Sequence, residues 1–334
     1  MGGARGVRAF ARARGLTAAN APARPSARGS AARGLLWALA ALPDGAALAF
    51  GAGLGRAWVR LGLPRTRSAR VNLRIAFPEW SEAERARVLV ASFENLGRSL
   101  VEFAWIGRRS AESVLARVRF EGLEHLETAR AAAPDGGVIA LIGHFGSWEL
   151  LPAALSARGL PITIVHRARD DAGFDDVVSA RRTDTGAHYV PRGSAALAVL
   201  RALRRGELAA LYFDQNARTA DGVFVPFFGR LACVRPGPVQ VAMSTRAPVV
   251  PVFLHRDAAD PSRHVVAFRP ALALERESTP DDARALAENA RRMTHALERE
   301  IRAAPEQWVW PHERWKTQPP GEPRPSYARA RARH

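Results

Sequence analysis

Cysteine and lysine each occur once in this chain, as Cys233 and Lys316. A single thiol rules out an internal disulfide and any cluster of thiolate ligands. It fits a reducing compartment. With lysine almost absent, arginine carries nearly all the positive charge, and its planar fork suits phosphate and carboxylate. No stretch reaches the roughly 20 uninterrupted apolar residues of a simple spanning helix. There is no Gly-x-Ser-x-Gly elbow, so no hydrolase-type serine nucleophile is signalled. The Walker loop, the Gly-x-Gly-x-x-Gly fingerprint and the His-Glu-x-x-His zinc motif are also missing. Only three tyrosines are available to stack on bases, and no nucleic-acid-binding motif accompanies the charge. Nucleic acid is therefore not an expected partner.

What is present is a 334-residue chain with 47% hydrophobic residues and a net charge of +17. That is enough for one large α/β domain with appendages. The charge is uneven. Residues 1–33 hold seven arginines and no acid, and residues 317–334 are net +3, which leaves about +7 for the body between them. An anionic membrane surface or an acidic carrier suits such a body.

Four regions follow from composition. Residues 1–33 are an Ala/Arg/Gly/Pro stretch expected to be a disordered basic extension. Residues 34–64 hold two apolar pieces, Leu35–Leu42 and Gly45–Gly55, broken by Pro43-Asp44. They read as a membrane-associating helical segment edged by Trp37, Arg56 and Trp58, or as a helical hairpin buried in a soluble core. Residues 65–320 form the main domain, and 321–334 a disordered basic tail. Within the main domain, Ser81 and Glu84 make a capping box. Leu89, Phe93, Leu96, Leu100 and Phe103 then follow at helical spacing.

From residue 136 onward strands and helices alternate. Strands are expected at 138–142, 161–165, 208–213, 249–254 and 265–268. Helices are expected near 147–157, 172–183, 193–204 and 236–245. A last helix is signalled by Thr279, Pro280, Asp281 and Asp282, with a core face of Leu286, Ala290, Met293, Leu297 and Ile301. This alternation predicts an α/β fold, a mostly parallel central sheet flanked by helices.

The chemistry concentrates in Gly143-His144-Phe145-Gly146-Ser147-Trp148-Glu149. The run follows the apolar strand 138–142, so His144 sits at the carboxyl end of a strand, where such sheets bind ligands. Ser147 is placed to cap the next helix. Two readings fit the spacing: a capped helix with a hydrogen-bonded histidine, or a general base with a carboxylate that fixes its tautomer. Without a protein nucleophile, the second reading implies direct transfer to a deprotonated hydroxyl.

Further blocks accompany this run. They are Leu42-Pro43, Asn72-Leu73, Phe77-Pro78-Glu79, His166-Arg167, Arg182 with Gly186, Asp214-Gln215-Asn216, Gly222 to Arg230, and Pro305 to Lys316. Together, over about 35–320, the chain resembles the bacterial lipid A biosynthesis acyltransferases, lauroyl or myristoyl transferases related to the phosphatidylinositol mannoside acyltransferases. His166 stands where the family often has tyrosine. The resemblance implies a glycerolipid-acyltransferase-like fold at the cytoplasmic face of the inner membrane. It implies His144 as general base with Glu149 orienting it. The donor would be a fatty acyl thioester on acyl carrier protein or coenzyme A, and the acceptor a hydroxyl of a lipid A precursor or another glycolipid. No metal or redox cofactor is implied.

Other residues have two readings each. Arg167, Arg169 and Arg182 either clamp acceptor phosphate or form surface ion pairs. Asp214 and Gln215 end a strand and either position the acceptor or cap a turn. Phe227 and Phe228 either wall an acyl pocket, touch the membrane, or plug the core beneath a loop. Arg230 and Arg235 either meet phosphate or stay solvated. Trp308, Trp310 and Trp315 suit a carboxy-terminal strap better than an interfacial belt, and His312 reads as structural.

Overall fold

The computed structural model describes residues 27–166, 172–219, 222–275 and 282–327. Its centre is a seven-stranded sheet in the order β1-β9-β8-β2-β5-β3-β4. The strands are β1 (Val118–Glu121), β2 (Val138–Ile142), β3 (Ile162–His166), β4 (His188–Pro191), β5 (Leu208–Tyr212), β8 (Val249–Arg256) and β9 (His264–Phe268). Strands β2, β3, β4, β5 and β8 run parallel, while β9 turns back antiparallel to β8 and pairs in parallel with β1. Strand β2 is buried along its whole length, as expected for a parallel strand covered on both faces. Its residues alternate between two cores. Ile139 and Leu141 face one, and Val138, Ala140 and Ile142 the other, because successive side chains leave opposite faces.

The five expected strands lie within a residue or two of their predicted bounds. Four more were not expected. β1 and β4 are only four residues long, with mixed exposure, so they carry little periodic signal. β6 (Val223–Phe227) and β7 (Arg230–Val234) form an antiparallel hairpin where a loop was read. Its two-residue turn, Phe228-Gly229, has φ of +51° and +73°, the geometry that matches strand twist in tight hairpins.

Helices differ mainly at their starts. Ser81 and Glu84 form the predicted capping box for helix Glu82–Trp105. Ser147 does not cap the next helix: among the described residues its Oγ meets no partner, and the helix begins only at Leu151. Phe145, two residues earlier, bridges to Trp308, and the Leu150 N–H turns back to the Ser147 carbonyl. The last helix, Ala283–Ala303, is capped by Asp282, which accepts from the N–H groups of Arg284 and Ala285 at 2.9 and 3.0 Å. Thr279, Pro280 and Asp281 lie outside the described residues, as do residues 1–26.

The amino-terminal segment forms two helices, Ala27–Ala41 and Asp44–Arg60. Among the described residues no helix is long and apolar enough to cross a membrane. The second helix packs backbone to backbone on helix Glu82–Trp105. A Cβ on Gly51 would lie 2.5 Å from the carbonyl oxygen of Gly97, and one on Gly55 would lie 2.1 Å from that of Phe93. Such an approach tolerates no side chain. Tyr327, inside the segment read as a tail, donates its hydroxyl to Asn72 at 2.7 Å.

Helix Glu82–Trp105 buries a polar stripe as well as an apolar one. Ser92, Asn95, Ser99 and Glu102 are all buried, whereas Leu100 is exposed. Glu102, at 1% exposure, accepts from Arg256 of β8 at 2.5 and 2.6 Å and lies 2.8 Å from His264 of β9. Burial opposes its ionisation, but the His264 and Arg256 charges and their hydrogen bonds overcome this and hold its carboxyl well below the usual range. Asn95 accepts from Arg256 at 2.7 Å, and Ser99 donates to the carbonyl of Gly146 at 3.1 Å. Removing one member of a buried ion pair leaves the other uncompensated. Arg256→Ala is therefore expected to destabilise the fold by about 3–5 kcal/mol, read as a lowered denaturant midpoint; a midpoint equal to the parent's would contradict this account.

Candidate active site

His144 and Asp214 meet because their strands are paired. β2 and β5 run side by side in parallel with Ile142 opposite Tyr212. Two residues past each strand end stand His144 and Asp214. One carboxylate oxygen lies 2.9 Å from His144 Nδ1, and the other accepts the His144 backbone N–H at 2.7 Å. The second oxygen also accepts the indole N–H of Trp308 at 3.0 Å. Asp214 is buried to 3% exposure. Burial alone would raise its pKa, but the His144 charge and these hydrogen bonds hold it below the usual carboxylate range. The His144 ring stacks on Tyr212 with centroids 4.4 Å apart and meets the edge of Trp148 at 5.5 Å.

Asp214, rather than Glu149, therefore orients the imidazole. Glu149 instead forms a two-pronged ion pair with Arg182, at 3.1 and 2.6 Å. The reason is the late start of the following helix. Gly146 has φ +57°, and a Cβ there would meet the Leu254 carbonyl oxygen at 1.9 Å. The loop turns sharply at that point and directs Glu149 toward helix Ala172–Thr183, which carries Arg182. The Glu149 charge still acts on His144. Burial lowers the imidazole's pKa, yet Asp214 and then Glu149 outweigh that effect and raise it above the ordinary histidine value. Arg182 is pushed up in turn: burial opposes its charge, but the bonds to Glu149 prevail.

The free edge of His144 faces Gln215, whose side-chain amide nitrogen is 3.4 Å from Nε2. A proton on Nδ1, held by Asp214, leaves Nε2 as an acceptor. Asn216 follows and donates its backbone N–H to His312 Nε2 at 2.9 Å. Burial holds His312 down to about 4, so it stays neutral and serves as an acceptor.

Of the other sequence-derived candidates, Arg182, Asp214 and Gln215 join His144 and Glu149. Arg167 and Arg169 lie outside the described residues. Phe227 and Phe228 do not line an open pocket. They are 0% and 5% exposed and pack on Trp308, Trp310, Trp315 and Phe77. The hairpin buries them as core. Arg230 is likewise tied elsewhere, to Gln318 at 3.4 Å and to the carbonyl of Pro323. Two residues went unassigned to the site from sequence, Tyr212 and Trp308. Its place at the end of an apolar strand was the available signal for Tyr212. Among the described residues, no group of three His, Cys, Asp or Glu side chains is placed to hold a metal ion.

A histidine backed by a carboxylate at a parallel-sheet edge is shared by many folds, and the chain-wide match decides among them. Residues 26–317 match the bacterial lipid A biosynthesis acyltransferase family. The chain belongs to that family. It is similar to the lipid A biosynthesis lauroyltransferase of Escherichia coli K12, with 29% identity over 297 residues, 87% of this chain and 92% of the relative. It is 31% identical to the E. coli palmitoleoyltransferase over 299 residues, 86% and 91% of the two chains. A lipid A biosynthesis acyltransferase of Haemophilus influenzae is 28% identical over 258 residues, 77% of each. The protein is thus an acyltransferase of the lipid A type, and the His144 site lies inside the matched region.

A general base works only with a neutral imidazole. Were His144 to act in this way, its raised pKa would make activity fall as pH drops through a value above the usual histidine pKa. Asp214→Asn removes the charge that raises it. The acid limb of kcat/KM should then move to lower pH, with a rate loss of about 10²–10⁴-fold from the lost tautomer control. An acid limb unmoved in Asp214→Asn would refute the pairing.

Proposed function

We propose that this acyltransferase moves a fatty acyl group from an acyl thioester, on acyl carrier protein or coenzyme A, to a hydroxyl of a lipid A precursor. The observation that carries the reading is the His144–Asp214 pair, with Nε2 turned toward Gln215 rather than toward a serine or cysteine. His144 Nε2 takes the proton of the acceptor hydroxyl. The oxygen attacks the thioester carbonyl carbon, the carbon–sulfur bond breaks, and the imidazolium returns the proton to the departing thiolate. No acyl-enzyme forms. Asp214 stabilises the imidazolium without accepting its proton.

The developing oxyanion needs donors. The backbone N–H groups of Phe145, Gly146 and Leu150 are already bonded to Gly143, Gln307 and Ser147. Arg182, held by Glu149, is placed in this reading as the cation facing the carbonyl oxygen or the acceptor's phosphate. His144→Ala is expected to keep the fold and lose about 10²–10⁴-fold in transfer, measured with a labelled acyl thioester against a panel of lipid A precursors, phosphatidylinositol mannosides and ornithine lipids. Near-parental transfer by His144→Ala would sink the mechanism, and transfer confined to another acceptor would move the substrate class.

The same reading has the enzyme resting on the cytoplasmic face of the inner membrane. Leu35, Trp37, Leu42, Phe50, Leu54, Trp58 and Leu61 are exposed along the two amino-terminal helices. Arg56 and Arg60 belong to the same segment. Apolar side chains with tryptophan and arginine at their margin suit shallow insertion in the plane of the interface. A triple change of Leu54, Trp58 and Leu61 to serine should abolish co-sedimentation with vesicles containing anionic lipid while leaving the thermal unfolding transition near that of the parent. Binding equal to the parent's would remove this surface as the contact.

A further inference from the structure

The strap formed by residues 305–310 does more than close the sheet. It comes from the far end of the chain and holds both the backbone of His144 and the carboxylate of Asp214. Val309 donates its backbone N–H to the carbonyl of His144 itself, and the carbonyl of Gln307 accepts from Gly146. Phe145, between them, bridges to Trp308. Gln307 is in turn locked to β8, accepting from Arg256 N–H at 2.7 Å and donating to its carbonyl at 3.0 Å. Trp308 is 2% exposed, and its indole N–H is spent on Asp214. A buried indole is costly to leave unpaired, so this bond fixes the ring and the carboxylate together.

We propose that Trp308 is a positioning residue for acyl transfer, its indole N–H holding the Asp214 carboxylate in the one orientation that serves both the ring and the backbone of His144. The proposal rests on His144 acting as the base. Trp310 supplies an internal comparison. It is equally buried on the same strap, but its indole N–H goes to the carbonyl of Pro305 at 2.6 Å.

The charges around the pair are fixed by several elements. Glu149 comes from the loop, Arg182 from helix Ala172–Thr183, and Tyr212 from β5. His312 and Arg314 come from the strap's continuation and feel the Asp214 charge, His312 as a neutral ring. None of these is altered by changing Trp308 to phenylalanine. The indole N–H draws part of the Asp214 charge to itself. Without it that charge falls more fully on the imidazolium, and His144 keeps its proton to higher pH.

The test is the pH dependence of kcat/KM for full-length Trp308→Phe and Trp310→Phe in detergent micelles. Trp308→Phe should lose about ten- to hundredfold in kcat with KM little changed, and its acid limb should move up. Trp310→Phe should keep the parental limb. A limb that stays or moves down in Trp308→Phe, or an equal shift in Trp310→Phe, overturns the proposal. A second measurement needs no variant to fold. In the parental protein the indole N–H proton resonance of Trp308, assigned by its through-space contact to His144, should titrate with the midpoint of the acid limb; a pH-independent resonance overturns the proposal. Active His144→Ala would instead strike down the base itself, so the two failures are separable.

Discussion

A carboxylate buried at 1% exposure, Glu102, has to be neutralised, and meeting that need organises this molecule. Its partners come from the sheet, Arg256 from β8 and His264 from β9. Arg256 also donates to Asn95, Ser99 and the carbonyl of Pro261, and its backbone N–H goes to Gln307. One ion pair thereby fastens helix Glu82–Trp105 to the antiparallel edge, and fastens both to the strap. The loop bearing His144 is clamped between them, with Ser99 holding one face of Gly146 and Gln307 the other. Buried pairs of this kind add little net stability compared with apolar packing. What they contribute here is register, since the charges match in only one arrangement of helix, sheet and strap.

The site itself is economical in residues but broad in sequence. Its histidine follows β2, its carboxylate follows β5, and its arginine ends helix Ala172–Thr183. The two acids divide the work by environment. Asp214, sealed by Trp308, faces the imidazole, while Glu149, half-buried, restrains Arg182. Asp214 pairs with the imidazole itself and Glu149 with Arg182, around a histidine whose side chain is 22% exposed. Fixed charges and dipoles held by packing are the setting in which electrostatic stabilisation counts most.

Much of this was legible in the residues. Five apolar runs became strands of the central sheet because strands buried on both faces need continuous apolar sequence. The capping box at Ser81 carried its own chemistry. The His144 run, Asp214, Gln215 and Arg182 were all marked by their places at strand or helix ends. What escaped reading depended on contacts between distant segments. The partner of His144 was taken as Glu149 because spacing along the chain cannot reveal that β5 lies beside β2. The inward stripe of Ser92, Asn95, Ser99 and Glu102 was masked by a neighbouring apolar stripe at the same helical period. Phe227 and Phe228 read as loop because Pro226 and Gly229 flank them, although Pro226 sits at an exposed position of an edge hairpin that needs no donor there.

The bridge between Phe145 and Trp308 spans more than 160 positions of sequence. Pairings of such separation form late, because closing a long loop costs entropy before any contact repays it. The chain also emerges from the ribosome amino terminus first. The exposed apolar helices and all but the last part of the sheet are therefore synthesised well before the strap that orders the base. A nascent or truncated chain lacking residue 308 has its imidazole and its carboxylate but no strap to set them. The residues that close the site are thus the last of it to be made, and a chain trimmed back past them keeps His144 and Asp214 but loses every contact that the strap makes to them.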